Sequence, residues 1–417
     1  MTEIDLIIKN SRELLTLSSS YREESGLGII RNGAIAVKEG RIFWIGNTDE
    51  IPGDYVLGLG GREIDATGKV VMPGLIDSHT HLIFAGSREN EFEQRIQGFS
   101  YLEIAGKGGG ILSTVEATRK ASSDELFFLG KRRLDRILSK GVTTLEAKSG
   151  YGLSLHDEIK ILKTMRALQE VHPVRIVPTF LGAHTIPREF KHDRAHYIDL
   201  LTQEMIPRIA QEGLAEFCDV FCEEKAFTLV ESKKILETGI KYGLKPKIHA
   251  DQLNPGGGAE LAAEVGAFSA DHLEYVSREG IKKIAEKKVT AVLLPGASFF
   301  LCMKKYPPAR DMIEQGVAVS LATDLNPGSS MTESLPLMMT MGCTLYQMVP
   351  KEVIQGTTIH AARSMGRENE IGSLEVGKQA DILCLDIPNY RYLPYHFGVD
   401  HTEIVMKKGR IVYQRPT

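Results

Sequence analysis

The chain has 417 residues, 42% of them hydrophobic and 25% charged, with a net charge of −4. That is the make-up of an ordinary globular protein with room for one large domain and a smaller one. It excludes the basic footprint of a nucleic-acid or anionic-membrane binder, and no apolar run approaches the roughly 18 residues of a spanning helix. Five cysteines, an odd number at scattered spacing, argue against a disulfide framework. Cys218-x3-Cys222 alternates with apolar residues and reads as a pair of small core side chains. Residues 1–6 lack the basic start and apolar stretch of a secretory signal, so the expected compartment is the cytosol.

In chain order, residues 5–9, 33–38, 41–46 and 62–65 read as short strands, separated by turn residues such as Glu39-Gly40 and Gly60-Gly61. Strands recur at the other end, at 380–386, 401–407 and 410–414, the last two divided by Lys408-Gly409. Neither end has enough apolar surface for its own core. Together, residues 1–66 and 367–417 are expected to form one small β-sandwich domain. Residues 67–366 alternate strands with helical patterns such as 157–170 and 277–286. Eight candidate strands appear, at 70–76, 143–147, 174–181, 216–222, 245–249, 267–272, 289–294 and 317–323. Repeated βα units imply a parallel sheet, and eight of them within about 300 residues predict an α/β fold with a closed (β/α)8 TIM-like barrel.

Such barrels carry their chemistry at the C-terminal ends of the strands, and those ends are rich here. Strand 1 leads into His79-Thr80-His81, whose imidazoles share one side of an extended segment. Strand 2 ends in Lys148-Ser149-Gly150-Tyr151-Gly152 and strand 3 in Gly182-Ala183-His184. Strand 5 ends in His249-Ala250-Asp251-Gln252, strand 6 in Asp271-His272, and strand 8 in Thr323-Asp324-Leu325-Asn326-Pro327-Gly328-Ser329. Five of the twelve histidines fall on these rims, and the other seven read as solvated helix or loop residues. Three imidazoles and one carboxylate, His79, His81, His249 and Asp324, suit zinc or iron with a position open for water. An ion there would bring the pKa of water to about 7, and Asp324 would lie close enough to take its proton. The plainer alternatives are a polar loop pair at His79 and His81, a satisfied strand-end histidine at His249 or His272, and a helix cap at Asp324.

Pro73-Gly74-Leu75-Ile76-Asp77-x-His79-x-His81, taken with His249, His272 and Asp324, resembles the amidohydrolase superfamily. So does the run Gly372-Ser373-Leu374-Glu375-Val376-Gly377-Lys378-Gln379-Ala380-Asp381. Within that superfamily the chain is similar to the branch that opens imidazolone rings. Four segments carry this: His81-Leu82-Ile83-Phe84-Ala85-Gly86-Ser87-Arg88, Glu146-Ala147-Lys148-Ser149-Gly150-Tyr151-Gly152-Leu153, Phe180-Leu181-Gly182-Ala183-His184 and Asp324-Leu325-Asn326-Pro327-Gly328-Ser329. The resemblance covers essentially the whole chain. It implies hydrolysis of 4-imidazolone-5-propanoate to N-formimidoyl-L-glutamate with one zinc or iron ion per chain. It implies His79, His81, His249 and Asp324 as ligands, and Asp324 and His272 as catalytic groups. It also implies Arg88, Tyr151, His184, Gln252, Asn326, Gly328 and Ser329 as substrate residues.

These roles make physical sense. A guanidinium grips a carboxylate with two hydrogen bonds, so Arg88 is a natural anchor for a propionate; its alternative is pairing with Glu89 or Glu91. Tyr151 can donate to the same carboxylate, and His184 can hydrogen-bond the ring. Free backbone N–H groups at 326–329, ahead of an expected helix start at 331–334, would favour the carboxylate created in the product; the alternative is a structural turn. Gln252 can hold the ring's amide-like edge through its donor and acceptor.

Three rival readings are weighed. A deaminase of the same superfamily typically has His-x-x-Glu after strand 5, where this chain has Gln252, and an amide cannot shuttle a proton. A two-metal centre would need a bridge from strand 4, with Lys225, Glu223 and Glu224 the candidates. A non-catalytic barrel would have shed its ligands, which are all present. The glycine-rich run 106–110 lacks the Gly-Lys-Ser/Thr order of a phosphate loop and reads as a mobile loop at the barrel mouth. The expected partner is a small molecule, with neither nucleic acid nor membrane, and a homodimer is expected of such a barrel.

Overall fold

The computed structural model describes residues 1–21, 25–99 and 109–416. Eight parallel strands form one sheet in chain order. They are β1 (Leu75–Thr80), β2 (Val142–Lys148), β3 (Arg175–Ala183), β4 (Phe217–Cys222), β5 (Lys245–Ala250), β6 (Ser269–His272), β7 (Thr290–Leu293) and β8 (Val319–Leu321). The ring closes just past the end of β8, where Asp324 N donates to His79 O at 3.0 Å and His81 N to Leu325 O at 2.9 Å. The barrel therefore shuts through the backbone of the very residues that carry imidazoles and a carboxylate. Asp77 on β1 adds a side-chain tie, accepting from Thr323 N at 3.0 Å and Thr323 Oγ1 at 2.6 Å.

Helices wrap the barrel where the sequence periodicity places them. Leu155–Val171 covers the expected 157–170, and Arg278–Lys287 covers 277–286. Helices Ser123–Ser139 and Leu229–Lys241 start at capping boxes, Ser122 with Glu125 and Thr228 with Glu231, which satisfy the otherwise unpaired first-turn N–H groups. Among the described residues no helix is long and apolar enough to cross a membrane.

The two chain ends build the expected sandwich. One sheet has four strands in the order Arg41–Asn47, Gly33–Lys38, Thr2–Ser11, Tyr55–Asp65. The other has six, in the order Arg410–Gln414, Thr402–Lys407, Ile382–Leu385, Val70–Pro73, Glu13–Leu15, Ile29–Ile30. Leu6, Ile8, Ile35 and Val37 of the first sheet pack against Leu14, Val71, Ile382, Cys384 and Met406 of the second.

One expected strand divides. Residues 70–76 are two elements: Val70–Pro73 pairs antiparallel with Ile382–Leu385, and only Leu75–Thr80 enters the barrel. The switch falls at Gly74, whose N donates to Asp381 O at 2.9 Å. A Cβ at Gly74 would lie 2.3 Å from Thr143 Oγ1, so only glycine lets β1 approach β2 there. Two of the seven histidines expected to be solvated are also buried. His172 ends helix Leu155–Val171 and accepts from Val174 N, and His401 packs on His396 and Tyr392. Cys218 and Cys222 are buried and free, as expected of core residues. Residues 106–108 of the glycine-rich run lie outside the described residues.

Candidate active site

His79 points into the barrel from β1, and His81 follows two residues on. Asp324 sits just past β8 with φ of 50°, a left-handed conformation that Asp tolerates better than most residues. Its Oδ1 lies 3.5 Å from both His79 Nε2 and His81 Nε2. His249, near the end of β5, places its ring 4.6 Å from that of His79 and 5.9 Å from that of His81. All four side chains are buried. His79 Nε2 and His249 Nε2 nevertheless have no hydrogen-bond partner among the described residues. An unsatisfied buried donor or acceptor costs about 1–3 kcal/mol, so lone pairs converging on one point mark a place for a cation. The atoms of His79, His81 and Asp324 lie within 4.8 Å of one another, as do those of His79, His249 and His272. Three imidazoles and one carboxylate fit zinc or iron, and the residues present fit a single ion.

The surroundings keep two of the ligand histidines neutral and the carboxylate partly protonated. Burial pushes His79, His81 and His272 well below the usual imidazole range, reinforced by Lys148 for His79, by His184 for His81 and by His249 for His272. Burial also pushes Asp324 up to about 7, with His249 pulling the other way. In the metal-free protein, Asp324 therefore carries a proton up to near neutrality. A cation requires it ionised. Metal uptake by the apoprotein at pH 6 should release at least one proton, read by calorimetry in buffers of different ionisation enthalpy. Uptake at pH 6 with no proton released would sink this assignment.

Around the ligands stand the expected substrate residues. Tyr151 places its ring 5.6 Å from His81 and 5.5 Å from His184. His184 stacks on His81 with centroids 5.1 Å apart and planes at 12°. Its Nδ1 lies 3.0 Å from Gly150 O, which can only accept, so Nδ1 carries the proton and Nε2 offers a lone pair. Burial pushes His184 down to about 3, so it stays neutral. The rim turn is held by buried Glu158, whose carboxylate accepts from the N–H groups of Gly150, Gly152 and Leu153. Gly150 has φ of 103°, and a Cβ there would lie 2.9 Å from His184 Nδ1. Gln252 is buried, and its backbone N donates to Glu223 Oε1 at 2.8 Å. His272 has φ of 80°, a strained value for a non-glycine residue. Its ring stands 5.4 Å from that of His249.

Two expectations are modified. Arg88 is paired with Glu91, at 2.9 Å from Nε and 2.6 Å from Nη2. Nη1 is turned toward Gly328, where a Cβ would sit only 2.1 Å away. The N–H groups of Gly328 and Ser329 are not free for an anion, because Asn326 Oδ1 accepts both at 2.8 Å. Asn326 Nδ2 donates to Asp324 O and to Ser329 Oγ, each at 2.7 Å. This is the self-bonding that makes Asn a turn former, and it spends the side chain on the loop. Ser329 Oγ reaches Asp324 Oδ2 at 3.4 Å. The helix expected from 331 begins at Leu335.

Several functional neighbours were not singled out from sequence. Asp271 Oδ2 takes His79 Nδ1 at 2.7 Å. Asp219 Oδ2 lies 3.1 Å from His249 Nδ1, close but off the line of a good hydrogen bond. Buried Glu274, pushed up to about 8 by burial, stands 4.0 Å from His272 Nδ1. The available signal was Glu146-x-Lys148 and Lys247-x-His249, charges at period two inside barrel strands and therefore on the inward face. For the two-metal reading, Glu224 and Lys225 are exposed, and Glu223 Oε1 is engaged by the backbone of Gln252 and Leu253.

The family model described as "Amidohydrolase family" matches residues 70–412. An imidazolonepropionase of Geobacillus sp. (strain WCH70) is 51% identical over 414 residues, 98% of this chain and 97% of that protein. One of Alkaliphilus oremlandii is 51% identical over 417 residues, 99% of both. Among solved structures, a 5-methylcytosine deaminase from Klebsiella pneumoniae superposes with a TM-score of 0.76 at 15% identity, covering 99% of this chain and 98% of that one. A zinc-bound adenosine deaminase from Xanthomonas campestris gives 0.73 at 16% identity, covering 98% and 93%. The last two are alike in fold alone. Identity near one-half over nearly the full length of both chains places the chain more narrowly: it belongs to the amidohydrolase family and, within it, to the imidazolonepropionases.

Proposed function

We propose that this protein hydrolyses the ring amide of 4-imidazolone-5-propanoate to N-formimidoyl-L-glutamate. The observation that carries the reading is the cluster of His79, His81 and Asp324, whose ligand atoms lie within 4.8 Å of one another, with the His249 ring 4.6 Å from that of His79. An ion held by these residues, zinc or iron, would polarise water and the ring carbonyl and would bring the water's pKa to about 7. The chain's residues do the rest. Asp324 turns Oδ1 toward the histidines and Oδ2 toward Ser329, so it takes the proton of the attacking water beside its own hydrogen-bonded oxygen. Water oxygen bonds to the ring carbonyl carbon, the carbon–nitrogen bond breaks, and Asp324 returns the proton to the departing nitrogen. His272 faces the oxygen on which negative charge develops. Gln252 offers a donor and an acceptor to the ring edge, and His184 Nε2 accepts from a ring N–H. Arg88 and Tyr151 take the propionate, while Asn326 and Gly328 shape the loop that carries Ser329 and seats Arg88.

The alternative is a deaminase of the same family, which would need a group at position 252 able to carry a proton; a carboxamide is not one. Freshly prepared imidazolone propionate should lose its ultraviolet absorbance with metal-loaded protein and keep it after chelation. Absence of turnover in metal-replete protein would sink the substrate assignment, and ammonia release from cytosine at enzymatic rates would favour deamination. The same reading expects action on a free small molecule in the cytosol and is compatible with a homodimer; sedimentation reads the last point directly.

A further inference from the structure

Lys148 ends β2 fully buried and takes no part in the chemistry above. An ammonium is costly to bury unless it is paired. Its Nζ lies 2.7 Å from Asp219 Oδ2, 2.9 Å from Glu146 Oε1 and 3.3 Å from Asp271 Oδ2. The two aspartates are the groups that back the ligand histidines. The oxygen of Asp271 that faces Lys148 is also 2.7 Å from His79 Nδ1, and that of Asp219 is 3.1 Å from His249 Nδ1. Asp219, His249 and Asp271 bring their atoms within 4.8 Å of one another, a spacing able to hold a cation, and the lysine ammonium stands against both carboxylates of that group. Lys247 is equally buried, but its ion pair is with Glu146 Oε2 at 2.8 Å, one carboxylate further from the ligands.

We infer that Lys148 is a positioning residue for the metal centre: its ammonium ties Asp219 and Asp271 into one bridge across the barrel, and that bridge turns His249 and His79 so that each presents Nε2 to the ion. The inference rests on the reading that these histidines hold a metal. At His79 the Asp271 carboxylate, accepting from Nδ1–H, leaves the lone pair on Nε2; at His249 the Asp219 oxygen stands 3.1 Å from Nδ1, and on both rings Nε2 has no partner among the described residues. Without the lysine, two buried carboxylates repel each other, and each ring loses its fixed support.

The test is chelator-competition titration of the ion's affinity in the full chain, alongside the unfolding midpoint of each apoprotein. Lys148→Met and Lys148→Gln should bind the ion about 10–100-fold more weakly, the range typical of lost outer-shell support. Lys247→Met, which removes a buried charge of the same network, should lower the apoprotein midpoint while binding the ion within about twofold of wild type. Wild-type affinity in the Lys148 variants, or equal weakening in Lys247→Met, would overturn the inference. Should the single Lys148 variants fail to fold, the double variant Lys148→Met with Asp219→Asn removes one charge of each sign. It should bind more weakly than Asp219→Asn alone by roughly tenfold, because Asp271 has lost its tie; equal affinity would overturn the inference. A wild-type protein that takes up no ion would sink the metal reading itself, which is a separate result.

Discussion

Asp324→Asn should lower turnover by about 10³-fold with metal in excess, within the range for a lost proton-transfer group. The substitution keeps shape and tolerates the left-handed backbone at this position, φ of 50°, so the fold should survive. What goes is the negative charge beside His79 and His81, together with the carboxylate placed to move the proton. Two measurements separate these losses. Metal content after dialysis reports the ligand, and turnover at saturating metal reports the proton carrier. Near-wild-type turnover with full occupancy would remove Asp324 from the chemistry.

The same change has an opposite consequence for stability. Burial raises the Asp324 pKa from its ordinary 3.8 to about 7 in the metal-free fold. Between those values the folded state binds more protons than the unfolded state, so the residue's contribution to stability falls as pH rises through that window. Above pH 7 the apoprotein carries the full penalty of a buried anion. The metal-free Asn variant should therefore melt higher than metal-free wild type at pH 8, and the gap should close as pH falls toward 4. A lower melting point at pH 8 would contradict this. The residue is one that folding would discard and the ion requires.

What could be read from sequence, and what could not, follows the range of the interactions. His79, His81, His249 and Asp324 were legible because each is a polar group at the end of an apolar strand, where a parallel barrel delivers side chains. The division of 70–76 was not. Val70–Pro73 and Leu75–Thr80 are buried throughout, so hydrophobic periodicity does not change at Gly74; only pairing with Ile382–Leu385, remote in sequence, sets the boundary. Asn326 illustrates a local rule that was legible and underweighted: Asn-Pro-Gly forms its own turn, and in doing so consumes the N–H groups that looked free. Of the partners of Lys148, Glu146 is local, but Asp219 and Asp271 come from β4 and β6, and no local pattern announces those two. For Arg88 the sequence left two readings open, carboxylate anchor or partner of a nearby glutamate. The structure realises the second while leaving the first available, since Glu91 engages Nε and Nη2 but not Nη1.

That arrangement makes Arg88→Met the sharpest test of substrate identity. A guanidinium has five N–H donors, and Glu91 takes one on each of two nitrogens, leaving the edge nearest Gly328 to meet a propionate. Glu91 is itself held by Gly110 N and Ser113 Oγ, at 3.1 Å and 3.2 Å, so the fork is aimed before substrate arrives. A charge-assisted hydrogen bond is worth about 1.5–3 kcal/mol, and its loss should lower kcat/KM for imidazolone propionate by about 10²-fold, mostly through KM. For an imidazolone bearing an ethyl group in place of the propionate, variant and wild type should be nearly equal, because that substrate never used the guanidinium. Gly328→Ala should mimic the effect, since its Cβ would occupy the space of Nη1, while metal content stays at the wild-type value. If Arg88 served only to anchor Glu91 and the segment behind it, both substrates would suffer equally in Arg88→Met. An equal loss on the ethyl analogue would therefore reject the anchor, and with it the argument that the rim selects a ring carrying a carboxylate.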